Sequence, residues 1–212
     1  MPVRDQRKFW DLYAPVYDVF MGINKKNYEQ IYQKIRKAIL KKQVLEIATG
    51  TGLIARNTAQ YAKKYIATDF SEQMLYQAQR ITQKNRKNQK IENLYFMQAD
   101  ACSLPFQDHS FDVVIASNVL HIMPDPEKAL SEIRRVLRSG GILIAPTFVQ
   151  ENRKTSAVSL AVGRMLTIFG ISYSDWTEEQ YLNFLKKNRF RVRKKELLPE
   201  RMSMLYTELT SR

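Results

Sequence analysis

Apolar positions along this chain recur with two different periods, and the alternation between them sets the first expectation. From residue 28 to 40, Ile31, Tyr32, Ile35, Ala38 and Ile39 fall at helical spacing. Residues 43–48 (Gln-Val-Leu-Glu-Ile-Ala) then read as a short strand ending in Thr49-Gly50-Thr51-Gly52. A helix is expected over 53–62, a strand over 65–68 that ends at Asp69, and a helix capped by Ser71 and running to about residue 86. Residues 94–99 and 111–116 read as further strands, ending at Asp100 and Ser117. The pattern predicts a helix over 126–137, stopped by Ser139-Gly140-Gly141, and a fifth strand over 142–147. Strands alternating with helices at this interval describe a parallel sheet covered on both faces, so the fold class is α/β, in a single domain.

Two stretches break the rhythm. Over residues 155–169, Val158, Ala161, Val162, Met165, Leu166 and Phe169 make an apolar helical stripe, too short and too interrupted by Gly163 and Arg164 to span a membrane. After a helix over 177–187, two apolar runs at 191–198 and 202–209 are separated only by Pro199-Glu200-Arg201. A gap of hairpin length makes the last two strands antiparallel. The whole chain, 1–212, divides into an N-terminal cap segment (1–27), a core (28–149), a helical insertion (150–176), and a last helix with a closing hairpin (177–212).

Composition narrows the class. The 212 residues are 44% hydrophobic and 26% charged, as in a globular domain rather than a disordered chain. A single cysteine, Cys102, excludes a disulfide framework and a multi-thiolate metal site; no metal site is expected. The first thirty residues carry Arg4, Arg7, Lys8, Lys25 and Lys26 without a long apolar run, so no signal peptide is read there and a cytoplasmic protein is expected. Thirty-four Lys and Arg against twenty-one Asp and Glu leave a net charge of +13, which raises the question of a nucleic-acid or anionic-membrane partner.

The candidate chemistry sits at the strand ends. Gly50-Thr51-Gly52-Leu53-Ile54-Ala55 fits the dinucleotide pattern G-x-G-x-x-G/A, with Asp69 about 20 residues on. Glu46, however, is a poor neighbour for a pyrophosphate and a good one for a cationic or amine-bearing ligand. Asp69 can accept both hydroxyls of a ribose, and Asp100 can accept from an exocyclic amine such as adenine N6. A nucleoside with a positive, amino-acid-like tail and no phosphate satisfies all three, and S-adenosylmethionine is such a molecule. The competing structural reading makes Asp69 an N-terminal cap for the next helix and Asp100 a turn residue.

The segments 44–52 (VLEIATGTG), 67–75 (ATDFSEQML), 98–106 (QADACSLPF), 111–122 (FDVVIASNVLHI) and 129–144 (ALSEIRRVLRSGGILI), with 10–18 (WDLYAPVYD), carry a resemblance. The chain resembles the class I S-adenosylmethionine-dependent methyltransferases, in particular the group of ubiquinone/menaquinone C-methyltransferases and phospholipid N-methyltransferases. The resemblance spans about residues 10–147. It implies a Rossmann-like, seven-stranded, mostly parallel sheet with an antiparallel last strand, and S-adenosylmethionine as cofactor with S-adenosylhomocysteine as product. It implies that Glu46 and the backbone of Ala48, Thr49 and Gly50, in the loop closed by Gly52, surround the methionine portion. Asp69 would hold the ribose, Phe70 and Met74 would pack near it, and Asp100, Ala101 and Cys102 would meet the adenine. Ser117 and Asn118 would face the sulfonium, and Tyr13 or Tyr17 would close over the cofactor. The family usually has glycine where this chain has Ala48; the methyl is tolerable if the backbone there is ordinary.

Methyl transfer from a sulfonium needs mainly alignment and exclusion of water, with a base only if the acceptor must lose a proton first. His121, after the fourth strand, is the candidate base, against the reading that it is a packed helix residue. His109, beside Asp108 in a polar loop, reads as solvated, and Cys102 as a packing residue. Ser-Asn-Val-Leu-His at 117–121 stands where methyltransferases acting on exocyclic amines of DNA bases carry an Asp/Asn-Pro-Pro-aromatic motif. The expected acceptor is a small molecule: a lipophilic one, such as a quinone precursor or a phospholipid amine, stands beside small amines and small hydroxyls. Tyr13, His121 and an apolar lid containing Met165 and Phe169 would grip it, against the reading of that stripe as ordinary helix–core packing. The alternatives are an RNA methyltransferase and an NAD-dependent oxidoreductase. Many of the cations fall at helix ends on the edge away from this mouth, where they complement helix dipoles. A nucleic-acid substrate is therefore disfavoured, and contact of the back edge with an anionic membrane or RNA stays open.

Overall fold

A computed structural model describes residues 3–15, 17–84, 91–150, 176–200 and 202–211. Three helices, α1 (Val3–Tyr13), α2 (Tyr17–Met21) and α3 (Lys25–Ala38), lead into β1 (Gln43–Glu46). Helix α4 (Leu53–Thr58) connects β1 to β2 (Lys64–Asp69), and α5 (Glu72–Lys84) precedes β3 (Leu94–Gln98). Then come β4 (Phe111–Ile115), α6 (Pro126–Val136), β5 (Leu137–Ile144) and the two-residue β6 (Thr147–Phe148). Helix α7 (Glu178–Lys187) and the hairpin β7 (Phe190–Leu198) and β8 (Met204–Ser211) complete the fold.

The sheet runs β3-β2-β1-β4-β5-β8, with β7 on the far side of β8. Neighbours from β3 to β5 pair in parallel, while β8 is antiparallel to both β5 and β7. The expected seven strands become eight by count only. β5 and β6 share one register on β8, Ile144 facing Glu208 and Thr147 facing Leu205, and the Ala145 amide still donates to the Thr207 carbonyl at 3.0 Å. They are one strand interrupted beside Pro146, whose nitrogen has no hydrogen to give the ladder.

Helix α4 ends at Thr58, short of the expected 62, and one boundary differs from the sequence reading in kind. Ser139-Gly140-Gly141 does not stop a helix; α6 has already ended at Val136, and the three residues lie inside β5 as an irregularity. The pairing jumps from Phe111–Leu137 to Val113–Ile142 across them. Gly140 has φ +73°, and a Cβ on Gly141 would stand 2.9 Å from the Arg138 carbonyl oxygen. The glycines thus let a strand bulge where the pattern read a terminator. Helix starts follow their chemistry: Asp125 caps α6 through the Lys128 amide at 2.9 Å with Pro126 in its first turn, and Thr177 and Gln180 form a capping box on α7.

The central strands β1 and β4 and the second half of β5 are buried on both faces, as covered parallel strands require. On one face Leu45, Val114 and Leu143 pack with Leu130 and Ile133 of α6 and Leu185 of α7. On the other, Val44, Val113 and Ile144 meet Ile31 and Ile35 of α3 and Ile54 of α4. Among the described residues no helix is long and apolar enough to cross a membrane. The stripe with Met165 and Phe169 lies outside the described residues.

Candidate cofactor site

Strands β1 to β4 end at one edge of the sheet, and their following loops surround a cavity of about 310 Å³. Ala48 and Gly50 follow β1, Asp69 and Phe70 end β2, Asp100, Ala101 and Cys102 follow β3, and Ser117 and Asn118 follow β4. Met74 comes from α5 and Tyr17 from the N-terminal segment. A smaller recess beside it is lined by Glu46, Thr49 and Tyr28, sharing Tyr17, Ala48, Ser117 and Asn118 with the main cavity.

The loop after β1 winds tightly: Ala48, Gly50 and Gly52 all have positive φ, at +48°, +58° and +77°. The condition placed on Ala48 therefore fails, because an L-residue is forced into the left-handed region where glycine rests without strain. Gly52 lines no cavity; it opens α4 where Ala78 and Phe96 press so close that a side chain would meet them at 3.1–3.3 Å. Two loop amides are already satisfied: Thr49 donates to the Thr68 carbonyl at 2.9 Å and Gly50 to Asp69 Oδ2 at 2.7 Å.

Asp69 is buried and accepts a second amide, from Ser71, on Oδ1 at 2.9 Å. It is not the cap of α5; the Ser71 hydroxyl is, accepting from the Met74 amide at 3.0 Å. Burial pushes the Asp69 carboxyl up to about 6, against the Ser71 and Gly50 amides that pull it down. Glu46, 2% exposed, accepts from the Tyr65 hydroxyl at 2.7 Å, and burial lifts it to about 7. Burial first, and then the charges of Asp69, Asp18 and Glu46, drive the Tyr17 hydroxyl well above its ordinary value. This hollow is acidic, a hostile place for a pyrophosphate and a favourable one for a cation. Opposite these acids, the Asn118 side chain donates to the Tyr28 hydroxyl at 2.8 Å, while its buried Oδ1 has no hydrogen-bond partner.

Asp100 is exposed and turns the chain, accepting the Cys102 amide on Oδ1 at 2.8 Å. Burial, then the charges of Asp100 and Asp125, push the Cys102 thiol up to about 11, so it is neutral and a poor nucleophile. His121 does not line the cavity. It is 6% exposed, its Nδ1 lies 3.1 Å from the Thr147 hydroxyl, and burial pushes it down to about 4. Of its two readings, the structure places it as a packed, neutral imidazole, although Val119, Ile122 and Met123 around it in sequence do reach the wall.

The N-terminal segment closes the cavity through Trp10 and Tyr17. The Tyr17 ring stands 3.5 Å from where a Cβ on Gly50 would be. Tyr13 instead stacks on Phe9, with ring centroids 4.7 Å apart, and is absent from the wall. Polar contacts tie the segment to the elements around the cavity: Arg7 with Glu72 at 2.9 Å, Asp11 with the Ser71 hydroxyl, and Asp18 with both the Thr51 hydroxyl and Arg56. Trp10, Ile122, Met123 and Lys128 were not singled out from the sequence. Trp10 and Ile122 lie within segments that carry the resemblance, Met123 follows Ile122 and Lys128 is in the first turn of α6, but periodicity alone gives no sign of which side chains face the cavity.

Residues 45–145 match the family model described as a methyltransferase domain. This stretch is a methyltransferase domain, and the strand order and the acidic cavity suit S-adenosylmethionine as its cofactor. Among its relatives, the phosphatidylethanolamine N-methyltransferase of Cereibacter sphaeroides is 33% identical over 147 residues, covering 65% of this chain and 66% of that one. The demethylmenaquinone methyltransferase of Renibacterium salmoninarum is 32% identical over 143 residues, covering 66% and 56%. The match spans only about a third of the length of two chloroplastic methyltransferases of Arabidopsis thaliana, with 32% and 33% of each covered. The DhpI–SAH complex has the same fold, with a TM-score of 0.73 at 20% identity over 98% of this chain and 96% of that one.

Proposed function

We propose that this chain transfers the methyl group of S-adenosylmethionine to a small, lipophilic acceptor, releasing S-adenosylhomocysteine. The observation that carries the reading is the cavity itself. Carboxylates stand at its β1, β2 and β3 sides, and Trp10, Val119, Ile122 and Met123 supply an apolar wall. The residues fit the cofactor: the unpartnered Asn118 Oδ1 asks for a donor, and the acids at Glu46 and Asp69 suit a cation. The bound cofactor supplies an electrophilic methyl group. Everything else is done by the chain.

In this reading Glu46, Asn118 and the loop at 48–50 surround the ammonium end, Asp69 accepts from the ribose, and Asp100 with Ala101 and Cys102 borders the adenine. Trp10 and Tyr17 exclude water above the site and fix the line of attack. His121, packed away from the cavity, offers it no imidazole base, and in this reading the carboxylates at the cavity are engaged with the cofactor. An acceptor that is already nucleophilic, or that sheds its proton to water, is therefore favoured. The relatives named for a phospholipid amine and a menaquinone precursor support a lipophilic acceptor. The wall charges, Asp69, Asp100 and Asp125 against Lys128, speak against an anionic nucleic acid as the acceptor.

The test pairs calorimetry with a methylation screen. Asp69→Asn should weaken S-adenosylmethionine binding by about tenfold or more, since a charge-assisted contact is lost. Unchanged affinity in a folded variant refutes the ribose assignment. Mass spectrometry of quinone precursors, phospholipid amines and RNA incubated with wild-type protein should show methylation among the first two. Methylation of RNA alone overturns the acceptor class.

A further inference from the structure

The opposite edge of the sheet holds a second concavity, of about 490 Å³, that the methyl-transfer reading does not use. It lies between the second half of α3 and the start of β7, over the amino ends of β1, β4 and β5. Lys34 and Lys37 come from α3, Lys42 from the turn before β1, and Arg193 and Lys194 from β7. Two acids share the wall, and both are occupied. Asp112 accepts from Arg138 at 2.9 Å and from the Gln43 amide at 2.8 Å, and Glu208 lies 3.8 Å from Lys194. Lys34 is paired with Glu196. Lys37, Lys42 and Arg193 have no carboxylate within ion-pair distance among the described residues, so three uncompensated cations face one groove.

We propose that this groove binds the phosphate backbone of single-stranded RNA as a docking site separate from the methyl-transfer cavity. Three features choose that partner. The wall has cations but no aromatic ring, so it meets the phosphate backbone and leaves the bases unread, and binding there comes from charge without sequence preference. The apolar groups present, Ala38, Val113 and Ile142, line a recess instead of protruding as a bilayer would require. A membrane bound here would also face away from the cofactor mouth, which opens on the other sheet edge. The net charge of +13 supplies the long-range field that brings such a polyanion in.

The experiment is fluorescence anisotropy of a labelled oligouridylate with the full chain over a series of salt concentrations. Three neutralised phosphates predict a slope of log affinity against log salt near about −2 for a single strand. The triple variant Lys37→Glu/Lys42→Glu/Arg193→Glu should lose affinity by more than about tenfold at low salt. Lys8→Glu/Lys25→Glu/Lys26→Glu, with the same change in net charge, should lose far less. Both variants should keep the wild-type melting temperature and S-adenosylmethionine affinity, which separates this site from the cavity. No binding at low salt, equal losses in the two triple variants, or groove-dependent binding to anionic phosphatidylglycerol vesicles that exceeds binding to RNA would each overturn the proposal.

Discussion

Ala48 shows how a single residue can hold a conformation its side chain resists. At φ +48° it sits between a strand end and a glycine that is itself left-handed, and the Thr49 amide bond to Thr68 fixes the turn from the other side. An L-residue in this region costs about 1–2 kcal/mol, and glycine would lose about 0.5–1 kcal/mol more chain entropy on folding. Ala48→Gly should therefore raise stability slightly, by up to about 1 kcal/mol in a denaturant titration. A clear loss of stability would show that the methyl group contributes packing that outweighs the strain. Glu46 supplies a pH signature. With its carboxyl lifted to about 7, the free protein carries a proton there through much of the mildly acidic range. A cation bound beside it favours the carboxylate and expels that proton. Affinity for S-adenosylmethionine should therefore climb as pH rises from about 6 to 8, with proton release seen by calorimetry in buffers of different ionisation enthalpy. Glu46→Gln should flatten that slope; a slope that persists in the variant assigns it to another group.

At the scale of elements, the N-terminal segment is held by polar contacts as well as by buried apolar residues such as Phe9 and Met21. Helix α2 brings Tyr17 over Gly50, and Asp18 in the same helix grips Thr51 and Arg56 at the start of α4. Arg56 also donates to the Thr51 carbonyl at 2.7 Å, so the ion pair and the glycine loop share one network. The Asp18 side chain is 32% exposed, which limits the pair to about 1 kcal/mol. Asp18→Asn should then weaken cofactor binding by about fivefold while leaving the fold intact, with the loss reduced at high salt. Unaltered affinity across ionic strengths would show that Tyr17 keeps its place without the ion pair. Strand β8 makes the complementary point: its register on both β5 and β6 aligns a chain broken at Pro146, and the Asn118 amide then reaches the Pro146 carbonyl at 2.9 Å. The closing hairpin thus supports the β4 loop of the site from a distance in sequence.

At the scale of the whole molecule, charge and chemistry are sorted to opposite sheet edges. The acids of the cavity and its recess stand at the carboxyl ends of β1 to β3, while the groove with Lys37, Lys42 and Arg193 lies over the amino ends. Parallel connectivity causes this. Each loop after a strand opens on one edge, and each turn between a helix end and the next strand returns on the other, where cations also complement helix dipoles. Gln150 and Trp176 are joined directly, the Gln150 amide donating to the Trp176 carbonyl at 2.9 Å.

Much of this was legible in the residues taken in order. Alternating periods identified the parallel sheet, the short gap at 199–201 announced the reversed strand, and acids at three strand ends marked the ligand edge, because each signal is local and repeats at a short interval. What needed the tertiary structure were relations between distant residues. Asp69 serves as an anchor for Gly50 rather than a helix cap, Trp10 and Tyr17 instead of Tyr13 reach the cavity, and His121 is packed against Thr147. Ser139-Gly140-Gly141 bulges a strand because a partner in β4 is there to pair with it, a fact invisible to propensity alone. Sequence determined the elements and the edge they would share; packing decided which side chains face a ligand, since burial and hydrogen-bond partners are set only when the chain has closed on itself.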